Sequence, residues 1–287
     1  PTNRLPYAIE VRRDALRRWI AGLKAPRIDI QAALTVIGRR APDRIELERT
    51  APRSFRLDLR NTCLQMADLS GLDFDHARLD GARIDGAALN RSRLAHASLR
   101  SATLLRAQMR RAVFNDANLT GARLEGAQLL RVYAERTIFD EATLDLAALW
   151  EAILSGSSFA ASDLRCAQAT GALLNGASLM AADLGFADLR RANLQSSELT
   201  GAHFARTLLD DDSLLDASVR GADLSECELT QSMIDGAFGD TKTILPPDLV
   251  RPVHWDTSVA PLRGQDERFE SLLADTSRKD GSGARRQ

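Results

Sequence analysis

The chain is poor in aromatic residues, at 5% of its 287 positions, and has three cysteines, Cys63, Cys166 and Cys227. So few aromatics argue for a narrow core filled by Leu and Ala rather than by large rings. An odd, widely spaced set of cysteines with no CxxC makes no disulfide framework and points to a reducing, cytoplasmic setting. No stretch of about 18 apolar residues is present, so no segment of this sequence crosses a membrane as a helix. No charged stretch leads into an apolar run as a signal peptide does. The first residue is Pro1 rather than Met, and an anchor upstream of it stays open. GxGxxG, P-loop and Ser-His-Asp arrangements are all missing. No catalytic residue, cofactor or metal is therefore assigned, and the reading is of a protein that is not an enzyme.

What the chain does have is a beat of five. From Leu59 to Ile234 every fifth residue, 36 in all, is Leu, Ile, Val, Phe or Met except Ala134 and Ala169. Two places earlier in each quintet, 23 of 36 residues are Ala, with five Ser, three Thr and one Cys. Five matches neither the helical period of about 3.6 nor the strand period of 2. Two restricted positions two apart behave as a very short strand with both side chains inward. The chain must then turn at every quintet, and the small residue lets it. Repeats that cannot bury a face alone stack into a solenoid.

The quintets ADLSG (67–71), ANLTG (117–121), ADLRR (187–191), ANLQS (192–196) and ADLSE (222–226) resemble the A(D/N)LXX unit of pentapeptide-repeat proteins. The resemblance runs over residues 55–238 and implies a mainly β fold, a right-handed quadrilateral β-helix. With about 20 residues per coil it makes about nine coils, ~43 Å long at the spacing of paired strands.

Residues 1–54 do not repeat and carry 12 basic against six acidic side chains. One helix is expected over IEVRRDALRRWIAGL, ending near Gly22. A second covers IDIQAALTVIGRR, with Asp29 as N-cap. Two helices suggest helix-turn-helix DNA binding, but a solenoid end has strand edges to protect, and a helical N-terminal cap is the favoured reading. After Gly236 the phase fails. Residues 239–287 read as an extended segment that closes the far end or folds back, followed beyond Trp255 by a disordered tail.

On a four-sided coil, residues 20 apart stack, so the outside can be read as ladders. Val113, Tyr133, Ile153 and Leu173, with Leu130 and Trp150 on the adjoining corner, make an apolar patch, a candidate interaction surface unless the chain's own termini cover it. Arg91, Arg111 and Arg131, with Arg110 beside them, make a candidate anion-binding ladder or a set of splayed, solvated side chains. Residues 55–140 carry 13 Arg against 10 acids, +3, whereas residues 141–238 carry five Arg against 15 acids, −10. Asp210, Asp211, Asp216, Glu226 and Glu228 belong to that acidic half and make a candidate acidic face for the mimicry of DNA that the resemblance implies.

His76 and His96 stack beside Asp75 and Asp116, but a flat ladder presents ligands in parallel where zinc needs convergence. Asp212 falls on an inward position that needs partners, or marks a distorted coil. Cys166 is expected outward and Cys227 inward, neither with a histidine base. The expected function is a binding module or scaffold presenting its faces to a protein partner or to a second copy of the chain. The alternative, implied by the resemblance, is a DNA mimic that binds DNA gyrase or topoisomerase and confers resistance to topoisomerase poisons.

Overall fold

The computed structural model describes residues 7–50, 56–211 and 213–256. The quintet explains the coil. The amide of each small residue closes a turn onto the carbonyl of the core residue three before it, as Ala67 N does to Leu64 O at 3.1 Å. The third residue of that turn has positive φ at every fifth position from Asn61 to Arg206, the requirement of a type II turn. Parallel bridges join residues 20 apart, from Asp58 with Arg78 through Ser218 with Phe238, so one coil takes 20 residues. Among the described residues none of these bridges widens into a named strand, because a corner every five residues leaves a single residue free to pair.

Four of the five amides in a quintet are met by the backbone of the same turn or of a neighbouring coil. The fifth, in the middle of the turn, needs a side chain. The Asp or Asn of the motif supplies it by accepting from the amide two residues on: Ser70 N to Asp68 Oδ1 at 3.0 Å, Thr120 N to Asn118 Oδ1 at 3.0 Å, and Gln195 N to Asn193 Oδ1 at 2.9 Å. This is an Asx turn. Elsewhere a corner residue of the preceding coil does the same, as Asp75 Oδ1 does for Ala95 N at 2.8 Å. The polar letter of A(D/N)LXX is thus a backbone device.

Both restricted columns are buried along the coils. Hydroxyls that replace Ala bond a turn carbonyl at several coils, as Thr137 Oγ1 to Phe114 O at 2.7 Å and Ser162 Oγ to Phe159 O at 2.7 Å, which meets the cost of burying them there. Phe139 and Phe159 stack at 4.8 Å, and Phe139 follows the gap at Ala134 by one quintet.

Among the described residues three helices precede the coils: α1 (Tyr7–Ala21), α2 (Ile28–Gly38) and α3 (Pro42–Thr50). Asp29 is not the N-cap of α2. That place is Arg27, whose guanidinium reaches Asp29 at 2.9 Å inside the first turn. The third helix was not expected; Pro42 at its first position is the signal that marks it. Helix α2 meets the exposed edge of the early coils with the groups a preceding coil would offer. Gly38 O accepts from Asp73 N at 2.8 Å, and the Gln31 amide bonds Asp68 N and Asp68 O at 2.9 and 2.6 Å. Leu34 is buried with the core.

At the other end α4 (Gln231–Asp235) replaces a quintet. The ladder then slips by one residue, since Asp223 bridges Ile244, in keeping with the loss of phase after Gly236. A short 3₁₀ turn, Val253–Asp256, brings in Trp255, which is 3% exposed and donates to Ala237 O at 2.9 Å. The tail expected to be disordered and Asp212 lie outside the described residues.

Candidate interaction surfaces

The coils expose corners and flat faces, and α1 changes which of them are free. Its Ile20 sits 3.4 Å from the position a Cβ on Gly86 would take, and its Leu16 lies 3.2 Å from that of Gly126. Further along, Arg12 pairs with Asp145 at 2.8 Å. The helix therefore lies along the corner that carries Asp85, Leu105, Glu125 and Asp145, all buried. The quintet phase alone leaves these four outside the two inward columns. The tertiary contact overrides that phase, because one helix covers successive layers of a single corner.

Burial sets the electrostatics there. It raises Asp145 above its ordinary carboxylate pKa, with Arg12 pulling the other way. Glu125 holds Arg123 at 2.8 Å. Cys166 is buried rather than outward, and burial pushes its thiol up to about 12, as it does for Cys227. Cys63 alone among the cysteines is exposed.

The apolar patch lies on a different corner and face. Val113, Tyr133, Ile153 and Leu173 form one continuous bridge ladder. Tyr133, Trp150 and Leu173 are 43%, 40% and 41% exposed, and Arg131 N bonds Trp150 O across the adjoining corner. No described segment covers these three side chains.

The arginine ladder divides. Arg131 is met by Glu151 at 2.5 Å, which raises the guanidinium pKa and lowers that of the carboxylate. Arg91, Arg110 and Arg111 have no acidic partner among the described residues. The acidic set does not make one face. Asp210 and Asp211 stand at one corner and Asp216 at the next, with Glu226 and Glu228 elsewhere. Several are engaged: Asp210 takes Arg191 N at 2.6 Å, Asp216 takes Gln195 at 3.1 Å, and Glu226 faces Arg206 at 3.7 Å. His76 and His96 stack at 4.7 Å and line a cleft with Asp73, Asp75 and Arg93. Arg93 holds both aspartates, at 3.1 and 2.6 Å. Among the described residues no three His, Cys, Asp or Glu converge as a metal site, and no helix is long and apolar enough to cross a membrane.

The 20-residue ladder and the Asx-closed quintet identify the architecture, and the model of pentapeptide repeats matches residues 56–211 in eight copies. The chain belongs to the pentapeptide-repeat family. The family fold is a right-handed β-helix. Among solved structures, this pentapeptide-repeat protein is similar to HetL, involved in heterocyst differentiation regulation in the cyanobacterium Nostoc sp. strain PCC 7120. The identity is 24%, over 75% of this chain and 98% of that one, with a TM-score of 0.32. It is also similar to full-length QnrB1, a plasmid-mediated fluoroquinolone resistance protein, at 15% identity over 77% and 97% of the two chains, TM-score 0.36. A pentapeptide-repeat protein from the thylakoid lumen of Arabidopsis thaliana shares 20% identity over 63% and 80%, TM-score 0.15. No curated protein matches the sequence.

What the sequence reading missed in this pentapeptide-repeat protein is the seat of α1. The signal was present: Leu16 and Ile20 are one helical turn apart, and Leu105 is an apolar residue at a corner position.

Proposed function

We propose that the protein is a non-enzymatic binding module whose β-helix of about nine coils, counted on a 20-residue ladder from Asp58 to Phe238, presents an apolar patch to a protein partner. Residues 1–54 act as a helical N-terminal cap on the first coils, residues 55–238 form the repeat body, and residues 239–255 close the far end. The carrying observation is the exposure of Tyr133, Trp150 and Leu173, each 40% or more, on one corner and the adjoining ladder of the repeat body. Contiguous exposed apolar surface marks an interface, and Tyr and Trp are the residues that most often anchor one. The partner is a protein or a second copy of the chain.

The double variant Tyr133→Asp, Trp150→Asp places charge on the patch without touching the core. Loss of partner capture or of self-association in sedimentation, at unchanged urea stability, supports the reading. Sedimentation and capture equal to the parent protein reject it. The second reading, mimicry of duplex DNA toward DNA gyrase, draws on the net charge of −10 over residues 141–238. The spread of Asp210, Asp211, Asp216, Glu226 and Glu228 over several corners weighs against it. Unaltered gyrase supercoiling at micromolar protein rejects it.

A further inference from the structure

The inward stripe of a helix holds residues three and four apart. On α1 Leu16 and Ile20 touch the coil, and Arg13 and Arg17 complete the same stripe at 13, 16, 17 and 20. Arg13 is half-buried on that stripe, and Arg17 stands exposed at its edge. The coil opposes them with a third cation, since the Arg106 Cγ lies 3.3 Å from the position a Cβ on Gly126 would take, beside Leu16.

These three arginines are poorly matched by acids. Arg17 reaches the exposed Asp14 at 3.3 Å. The Arg13 Nε is buried without a hydrogen-bond partner. Neither Arg13 nor Arg106 forms an ion pair among the described residues. Of the carboxylates on this corner, Asp145 is held by Arg12, and Glu125 gives Oε1 to Arg123 while its Oε2 is buried without a hydrogen-bond partner. Arg106 is held below the ordinary arginine pKa by burial first and then by the charges of Arg17 and Arg13. Arg13 and Arg106 are half-buried, and like charges gathered there are costly unless a counter-charge enters. A guanidinium fork matches the oxygens of a phosphate in particular.

We infer that Arg13, Arg17 and Arg106 form a binding site for a small phosphate-type oxyanion, which pins α1 to the coil. A singly charged halide meets none of the fork geometry, so the site discriminates phosphate from chloride. The ligand bridges helix and coil, and its occupancy controls how long α1 stays seated. The site lies on a different corner from Arg91, Arg110 and Arg111, and it does not depend on the apolar patch.

The test is hydrogen exchange of α1 amides in the full-length protein, with inorganic phosphate titrated against sodium chloride at matched ionic strength. At phosphate about ten times its Kd, opening of α1 is expected to fall about tenfold. Sodium sulfate as a third arm separates a general dianion site, which still supports the inference, from one that needs phosphate. R106Q and R13Q are each expected to abolish the phosphate response while R110Q keeps it. Should R106Q disturb the coil, R17Q on the helix serves in its place, and circular dichroism of each variant reports folding. Equal protection in phosphate and chloride, or a response lost in R110Q and kept in R106Q and R17Q, overturns the inference.

Discussion

Gly126→Ala and Gly176→Ala make a matched pair that reads the seat of α1. Both glycines have φ of +66°, so each substitution forces a side chain into the left-handed region at a cost of about 1–2 kcal/mol. They differ in surroundings. Nothing lies within 4 Å of a Cβ at Gly176, whereas at Gly126 it meets Leu16 Cδ2 at 3.2 Å and Arg106 Cγ at 3.3 Å. Both neighbours are ends or mid-points of flexible side chains and can yield by a few tenths of an ångström. Overpacking of a tight contact costs about 1–3 kcal/mol, and this mild one belongs at the low end. Gly126→Ala should therefore destabilise by about 1 kcal/mol more than Gly176→Ala, with the excess confined to α1. Urea unfolding followed by circular dichroism measures the common backbone cost. Hydrogen exchange of α1 measures the excess as opening about fivefold more frequent, the equivalent of that energy. Equal exchange of α1 in the two variants would show that the helix does not rest on this corner, and the account of the buried acids would fall with it.

Two further expectations follow from the buried groups. Asp145 has a folded pKa raised above its ordinary value by burial. Its contribution to stability is therefore full below the unfolded carboxylate pKa and is lost as pH rises through the folded one. Acid should seat α1 more firmly through this group, and Asp145→Asn should flatten that part of the profile; α1 exchange from pH 3 to 7, taken as parent minus variant, checks it, and parallel profiles refute it. Among the thiols, Cys166 and Cys227 sit near pKa 12, so at pH 8 about one in ten thousand of each is thiolate. Native alkylation with iodoacetamide should modify Cys63 alone, and a second adduct in intact-mass spectra of the folded protein would contradict the burial.

The repeat body was legible because its signal is redundant. An unbroken beat of core residues from Leu59 to Ile234 leaves one periodic solution, and the turn follows from it. The Asp and Asn of the motif could be counted but not explained from sequence. Their role depends on which of the five amides the neighbouring coils leave unmet, and that is a property of stacked backbone. The patch of Val113, Leu130, Tyr133, Trp150, Ile153 and Leu173 could be drawn once the coil length was assumed. The acidic set failed as a single face because residues such as Asp211 and Asp216 are five apart, which carries them to successive corners.

By itself the sequence determined the coil, since local spacing decides which side chains enter the axis and where the backbone turns, with no need of distant partners. Only the tertiary structure decided which outside is truly outside. The path of α1 along one corner depends on contacts between residues far apart in the chain, Arg12 with Asp145 and Leu16 beside Gly126, and no periodicity encodes those. A helix of 15 residues can lie on any of the coil's corners until shape and charge choose one, and that choice buries some ladders and leaves others free to bind.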